Sequence, residues 1–289
     1  MTGTGTKLNY DPDATFEVTT HDIVYRREGD IELKARIYQP QGEGPFPALL
    51  DLHGGAWGKQ DHLFNQVSQQ HFAASGLLVM AIDFRSSNLA PHPAAQEDQS
   101  YALRWLKAHA AEYNGSAELV GVVGWSSGGH QAILGAMKPD DFATIPLVEA
   151  PVLDARPAYV VMGWPVLDPL ARYELARDTK NEGLMASHLA YFGDEAGQIA
   201  HNPPRMLERG EAVELPPALL VQGSNDESLP RMMAERFVEL YSLAGGVIEM
   251  GKYPGEPHGF MRDGGVNTDR ARAQVRFFIA RKLRELQDT

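Results

Sequence analysis

The chain of 289 residues contains no cysteine. This absence excludes disulfides, thiolate nucleophiles and zinc sites built on cysteine. Long apolar runs are missing too, and none approaches the roughly 20 residues that a membrane-spanning helix needs. The N-terminal stretch MTGTGTKLNYDPDATFEV lacks the basic and apolar regions of a secretory signal. Together these absences favour a cytoplasmic protein that has no membrane partner.

Positive charge is scarce: 26 Lys and Arg stand against 38 Asp and Glu, for a formal net charge of -12. An acidic chain is poorly suited to a phosphate backbone, so we expect no nucleic-acid partner. With 43% hydrophobic residues the chain can bury a sizeable core. A small molecule is the expected partner, and an edge strand or the final helix offers a surface for a homo-oligomer.

The hydrophobic pattern predicts the order of secondary structure. TFEVTTHDIVYRR and IELKARIYQP, separated by EGD, are typical of an antiparallel hairpin. The apolar runs that follow, such as PALLDLHGG, LLVMAIDF and ELVGVVGW, predict buried strands, and stretches with helical spacing separate them. Such alternation indicates an α/β protein with a mostly parallel central sheet, an antiparallel N-terminal edge and helices on both faces. We interpret residues 1–289 as a single domain.

The alternation breaks in residues 168–216, where the sequence predicts short helices and turns but no buried strand. A connection of this length is uncommon in a compact domain unless it has its own structure or a function. We therefore predict a small helical cap insertion within the single domain.

The stretch GWSSGG places a serine between a buried strand and a helix. Ser126 lies between Gly124 and Gly128, which is the order Gly-x-Ser-x-Gly of the nucleophile elbow. In that strained turn the serine Oγ projects above the sheet, and the flanking glycines let strand and helix pass closely. Ser127 has Trp125 at the corresponding N-terminal position, so Ser126 is the predicted nucleophile. Alone, the pattern also fits a turn without catalytic function.

A serine hydroxyl needs a base and an acid that orients the base. In this template the acid and then the histidine follow the serine along the chain. Asp226 ends the strand PALLVQGS, and His258 follows the next strand, so both lie at the carboxyl edge of the sheet. Asp168 also ends a strand and is an alternative acid, although it more readily begins the insertion. His130, one helical turn after Ser126, is predicted to be a packed, hydrogen-bonded residue.

The stretch LLDLHGGAWGKQ predicts a site for the negative charge of a tetrahedral intermediate. Glycines let backbone N–H groups turn toward a developing oxyanion, and we assign donors to the amides of Gly55, Ala56 and Ser127. His53 is expected to brace this loop. A phosphate-binding loop is the alternative, but no nucleotide motif follows, and Lys59 is weak evidence for one. The expected chemistry needs neither a metal nor a cofactor.

These ordered motifs resemble the α/β-hydrolases, close to the hormone-sensitive-lipase-like and related small esterases. HGGAW resembles their oxyanion motif, GWSSGGHQA their nucleophile elbow, QGSNDESLP their acid loop and PHGF their histidine loop. The segment IDFRSSNLAPHPAAQEDQSYALRWL resembles the one after their second core strand. This resemblance implies an α/β-hydrolase fold, and structural roles for Asp83, Arg85 and Asp98 beside the oxyanion motif.

The resemblance also implies a serine hydrolase that cleaves a carboxylic ester through an acyl-enzyme intermediate. Ala56 stands where the family usually has a third glycine, and Trp57 follows it, a form that arylformamidase-like members share. Hydrolysis of an N-formyl or aryl amide is therefore an alternative. A non-catalytic ligand-binding homologue is a more distant alternative. The presence of Ser126, Asp226 and His258 at all three catalytic positions argues against it.

Bulky apolar residues next to the motif loops are candidates for a substrate pocket. Such a lining would suit aromatic or medium-length acyl groups, and ordinary packing beneath the insertion is the alternative for each residue. The candidates are Trp57, Trp125, Met162, Trp164 and Phe260.

Overall fold

The computed structural model describes Leu8 and residues 10–288. Part of the N-terminal stretch on which the signal-sequence prediction depends therefore lies outside the described residues. Within the described residues, one sheet has the spatial strand order β1-β2-β4-β3-β5-β6-β7-β8. The strands are β1 Val18–Glu28, β2 Ile31–Pro40, β3 Phe46–Leu52, β4 Leu78–Ile82, β5 Gly115–Trp125, β6 Val160–Gly163, β7 Ala218–Gly223 and β8 Ile248–Tyr253.

The predicted arrangement of the sheet is confirmed. Strand β1 pairs antiparallel with β2, and β2 pairs antiparallel with β4, whereas every later pairing is parallel. Residues of β3, β4 and β7 are buried without alternation, as expected for strands covered on both faces. Strand β1 mixes buried and exposed positions because it forms the open edge of the sheet.

Helices cover both faces of the sheet, so the protein is of the α/β class. Helix α1 packs against α9, and α2 packs against α3. The helices are α1 Gln66–Ala74, α2 Ala94–His109, α3 Ser127–Met137, α4 Pro169–Asp178, α5 Glu182–Phe192, α6 Glu195–Ala200, α7 Pro203–Glu208, α8 Met233–Leu243 and α9 Val266–Gln287. Within the part of the chain that the structure describes, no helix combines the length and the apolar character needed to cross a bilayer.

The segment between β6 and β7 contains four short helices, α4 to α7, and no strand among its described residues. The carboxylate of Asp168 accepts a hydrogen bond from the N–H of Ala171 at 3.0 Å and caps α4. It also accepts one from Asn202, which caps α7, at 2.7 Å. Asn181 and Asp194 cap α5 and α6 in the same manner. Each cap begins a new helix, so no long periodic pattern can develop in this part of the sequence.

Candidate active site

Ser126 lies in a strained turn between β5 and α3. Its backbone has φ 54° and ψ −116°, and its N–H donates to the carbonyl of Gly163 at 2.8 Å. A Cβ atom on Gly124 would lie 2.2 Å from the carbonyl oxygen of Gly128, and one on Gly128 would lie 2.3 Å from that of Leu52. The turn therefore requires glycine on both sides of the serine, as the sequence pattern predicts.

His258 lies between Ser126 and Asp226. Its Nε2 is 2.9 Å from Ser126 Oγ, and its Nδ1 is 2.8 Å from Asp226 Oδ2. Since a carboxylate only accepts, Nδ1 carries the proton and Nε2 presents its lone pair to the serine hydroxyl. Asp226 also accepts hydrogen bonds from Gln222 Nε2 and from the N–H of Ser228, both at 2.9 Å. These bonds fix the carboxylate in the orientation that holds the imidazole.

The loops after β7 and β8 are bound to each other through their backbones. The N–H of Ser224 donates to the carbonyl of Tyr253, and the N–H of Asn225 donates to that of Glu256, each at 2.9 Å. Gly223 permits this approach, because a Cβ there would lie 2.3 Å from the carbonyl oxygen of Glu256. The two loops that hold the carboxylate and the imidazole therefore form one unit, although 32 residues separate Asp226 from His258.

The glycine-rich loop after β3 passes directly beside the nucleophile turn. A Cβ on Gly54 would lie 3.1 Å from Ser126 Cβ. The following residues adopt left-handed backbone conformations, with φ 109° at Gly55 and 51° at Ala56. None of the N–H groups of Gly55, Ala56 and Ser127 donates to an acceptor among the described residues. Three unpaired amides beside a serine are typical of a site for a developing negative charge.

His53 braces the start of this loop, as expected. Its Nδ1 donates to the carbonyl of Gly54 at 2.7 Å, and its ring stacks on Phe84 with the centroids 4.3 Å apart. Burial lowers the pKa of His53 below its ordinary value, so the ring stays neutral at physiological pH. A neutral, packed imidazole whose Nδ1–H is bound to a backbone carbonyl supports the loop and has no catalytic role in the proposed reaction.

The three residues with implied structural roles make the contacts that such roles require. Asp98 is fully buried and accepts from the backbone N–H of Arg85 at 2.8 Å and from its Nε at 2.9 Å. Asp83 accepts from both the N–H and the Nδ1 of His62 at 2.8 Å. These bonds hold the segment after β4 in place near the glycine-rich loop.

Two alternative catalytic candidates have other partners. His130 is buried, and its Nε2 donates to the carbonyl of His201 at 2.8 Å. Burial lowers the pKa of His130 to about 4, in agreement with the prediction of a packed residue. Asp168 caps α4, whereas the imidazole of His258 contacts Asp226.

The predicted pocket residues are buried, which the sequence could not decide. At most 3% of each is exposed: Trp57, Trp125, Met162, Trp164 and Phe260. Trp125 and Met162 need correction to core residues: Trp125 donates its Nε1 to Asp51 at 2.8 Å inside the sheet, and Met162 is fully buried in β6. The ring of Trp164 lies 6.2 Å from that of His258, so its part in a substrate pocket stays a prediction.

Sequence reasoning missed Asp51, a carboxyl group buried inside β3. It accepts from Trp125 Nε1 and, at 3.1 Å, from Gln69 Nε2. Burial raises its pKa to about 7. A single carboxylate within the apolar run PALLDL was the available signal, because a buried acid requires a partner.

Comparison with known proteins identifies relatives along most of the chain. The family model BD-FAE matches residues 36–161. The probable carboxylic ester hydrolase LipM of Mycobacterium tuberculosis is 27% identical over 82% of this chain, and the match takes in 54% of LipM. The present chain thus spans about half the length of that relative. Esterase LipI of the same organism is 27% identical over 86% of this chain and 77% of its own.

Solved structures share the fold. The esterase Est2 of Thermogutta terrifontis, with propionate bound, superposes with a TM-score of 0.69 at 24% identity, covering 90% of this chain and 92% of Est2. Esterase B from Lactobacillus rhamnosis gives a TM-score of 0.77 at 20% identity, covering 96% of this chain and 91% of its own.

Proposed function

Because this chain is an α/β-hydrolase related to the hormone-sensitive-lipase-like carboxylic ester hydrolases, we propose that it hydrolyses carboxylic esters with Ser126 as nucleophile. The observation that carries the proposal is the position of His258, 2.9 Å from the serine Oγ and 2.8 Å from the Asp226 carboxylate. A base and its orienting acid in this geometry are what a serine hydroxyl needs to become reactive.

In the first half of the reaction, Ser126 Oγ attacks the ester carbonyl carbon while His258 Nε2 takes the hydroxyl proton. Asp226 holds the Nδ1–H and stabilises the imidazolium that forms. The carbonyl oxygen becomes an oxyanion and accepts hydrogen bonds from the free amides of Gly55, Ala56 and Ser127. The tetrahedral intermediate collapses as His258 returns the proton to the leaving alkoxide, which leaves an acyl-serine.

In the second half, water replaces the alcohol. His258 Nε2 removes a proton from the water as its oxygen attacks the acyl carbon, and the same amides bind the second oxyanion. Collapse breaks the bond to Ser126 Oγ, which regains the proton from the imidazolium. The carboxylic acid product then leaves.

The substrate is a small-molecule ester. Structural neighbours of this chain hold propionate and butyrate, which supports a short acyl group. Helices α4 to α7 are the proposed cap, and the hydrogen bond from Arg172 of α4 to Ser228 of the acid loop supports this role. Amide hydrolysis stays the alternative that the stretch HGGAW indicates, and comparing aryl esters with N-formyl aryl amines would separate the two.

A fluorophosphonate probe tests the proposal directly. It should form a covalent adduct on Ser126, identified by mass spectrometry of the tryptic peptide. Ser126→Ala should abolish the adduct and lower p-nitrophenyl butyrate hydrolysis by several orders of magnitude without unfolding the protein. The matched control is Ser127→Ala, which keeps the backbone amide and should still be labelled. Labelling at Ser127, or hydrolysis retained by Ser126→Ala, would overturn the proposal.

A further inference from the structure

Helix α4 carries a buried arginine, Arg172, that forms no direct ion pair among the described residues, and the Asp226 carboxylate acts on its charge only from a longer distance. Only 5% of Arg172 is exposed, and no carboxylate oxygen of the described residues lies within 4.0 Å of its guanidinium nitrogens. Its Nε donates to the carbonyl of Ser228 at 3.3 Å, while Nη1 is buried without any partner. Burial lowers the pKa of Arg172 to about 10, so the group is still a cation at neutral pH. Burying an unpaired cation costs free energy that some compensating interaction normally offsets.

Arg172 lies beside the indole ring of Trp57, and two further polar atoms without partners are found there. The Arg172 guanidinium carbon is 5.8 Å from the ring centroid of Trp57, whose own Nε1 is buried without an acceptor. The His188 ring centroid is 4.8 Å from that of Trp57, and His188 Nε2 also lacks a partner. We call Arg172, Trp57 and His188 the Arg172 cluster.

The protonation of the histidine follows from its surroundings. His188 Nδ1 is 3.0 Å from Gln198 Oε1, and Gln198 Nε2 donates to the carbonyl of Asp194. Burial, together with the Arg172 charge, lowers the pKa of His188 to about 3, so the ring is neutral. The proton is therefore on Nδ1, and Nε2 is an acceptor. His130, with its ring 5.6 Å from Trp57, presents a second unpartnered acceptor at Nδ1.

The cluster adjoins both loops of the proposed active site. Trp57 directly follows Ala56, and its backbone N–H donates to Ser127 Oγ at 3.2 Å. On the other side, the Ser228 carbonyl that binds Arg172 belongs to the residue whose N–H donates to Asp226. The cluster is therefore linked through hydrogen bonds to the residue after the nucleophile and to the loop that holds Asp226.

We infer that the Arg172 cluster binds a carboxylate carried by the substrate, so that the preferred esters contain a second, anionic group that is not cleaved. A carboxylate accepts from both Arg172 Nη1 and Trp57 Nε1, which satisfies the two buried donors and the unpaired cation together. The His188 acceptor takes a hydroxyl or water proton beside it. This inference rests on the proposed ester hydrolysis and specifies its substrate class.

The test compares matched anionic and neutral esters. p-Nitrophenyl glutarate is paired with p-nitrophenyl pentanoate for an acyl-side carboxylate, and 4-carboxyphenyl butyrate with 4-carbamoylphenyl butyrate for an alcohol-side one. kcat/KM is measured with the spontaneous rate subtracted, for the wild type, Arg172→Gln and Arg177→Gln. Arg177 is the matched control, since it lies on the same helix with 53% of its side chain exposed.

For at least one pair, the wild type should prefer the anionic ester, and Arg172→Gln should lower its kcat/KM about 10- to 100-fold, the loss expected for a charge-assisted hydrogen bond. In Arg172→Gln, kcat/KM for the neutral ester should change less than about threefold. Arg177→Gln should leave the ratio of kcat/KM for the anionic ester to that for the neutral ester unchanged. An equal loss on both esters would overturn the inference, because Arg172 would then only connect α4 to the acid loop. A wild type without preference in either pair would also overturn it.

Circular dichroism establishes whether Arg172→Gln folds. If it does not, inhibition of the wild type decides: glutarate should compete with p-nitrophenyl pentanoate where glutaramide does not, and equal inhibition would contradict the inference. Failure of the underlying function has a different signature, namely that the neutral pentanoate ester is not hydrolysed or that its hydrolysis survives Ser126→Ala. Calorimetry with glutarate would still test the cluster in that case.

Discussion

At the scale of single residues, the proposed chemistry depends on which nitrogen of His258 carries the proton. The Asp226 carboxylate accepts from Nδ1 and thereby keeps the Nε2 lone pair directed at Ser126. A side chain that donates instead would select the other tautomer, in which Nε2 carries a proton and cannot act as a base.

Asp226→Asn should therefore lower kcat about 10³- to 10⁴-fold while leaving the fold intact. Steady-state hydrolysis of p-nitrophenyl butyrate and a circular dichroism melt would measure the two effects. The control is Asp168→Asn at the alternative acid, where asparagine remains a good helix cap, so kcat should stay near the wild-type value. If Asp168→Asn instead abolished turnover and Asp226→Asn did not, the roles assigned here would be reversed.

Asp51 gives the stability of the protein a pH dependence of its own. Burial raises its pKa to about 7 in the folded state, above the unfolded value of about 3.9. Between these values the folded protein holds a proton that the unfolded chain has lost, so this group's contribution to stability falls as pH rises from about 4 to about 7.

Asp51→Asn removes this titration. Over pH 4 to 7 the melting temperature of the variant should therefore fall less with rising pH than that of the wild type, and above about pH 7 the two curves should run parallel. Differential scanning calorimetry at one-unit pH steps would measure the difference. Glu118→Gln, at an exposed position of β5, is the control and should follow the wild type. Curves for Asp51→Asn that parallel the wild type throughout would contradict this reasoning.

At the scale of elements, the junction of β5 and α3 combines tight packing with backbone strain. Strand and helix approach so closely that neither glycine around Ser126 has room for a Cβ atom. Gly135, further along the same helix, lies in looser surroundings. A Cβ at Gly135 would meet only Gln96 Oε1, at 3.5 Å, which is an ordinary contact.

Gly124→Ala should consequently lower the free energy of unfolding, whereas Gly135→Ala should not. At Gly124 the added methyl meets the carbonyl of Gly128 at 2.2 Å, so the turn must shift, with a loss of stability of roughly 1–3 kcal/mol and a loss of activity. At Gly135 alanine should be neutral or stabilising by up to about 1 kcal/mol, because it favours the helix. Urea unfolding and esterase rates would measure both variants. A destabilised Gly135→Ala would show that the packing of α3 is misjudged.

At the scale of the whole molecule, the sheet brings the connections after four strands, from distant parts of the sequence, to one edge. Parallel strands β3, β5, β7 and β8 all end there, which is why Ser126, Asp226 and His258 meet although 132 residues separate the first from the last. Every reacting group of the proposed mechanism is a side chain or an amide of this edge.

The composition yields a prediction for the entire chain. With no cysteine, thiol reagents have no thiol to modify, so iodoacetamide should leave ester hydrolysis unchanged while a fluorophosphonate abolishes it. Parallel inactivation assays on one enzyme preparation would measure this. Inhibition by iodoacetamide would show that another side chain, such as a histidine, reacts and contributes to activity.

The sequence by itself determined what depends on neighbouring residues. The alternation of apolar and helical stretches predicts the α/β class and the antiparallel edge, and the spacing of glycines around Ser126 predicts the elbow, because these patterns reflect local backbone geometry. Only the tertiary structure decided which aromatic residues are core and which polar atoms lack partners. Trp125 meets Asp51, and Arg172 meets Trp57, across 74 and 115 positions of the chain. Burial and pairing of this kind arise from contacts between distant segments, which no local pattern encodes.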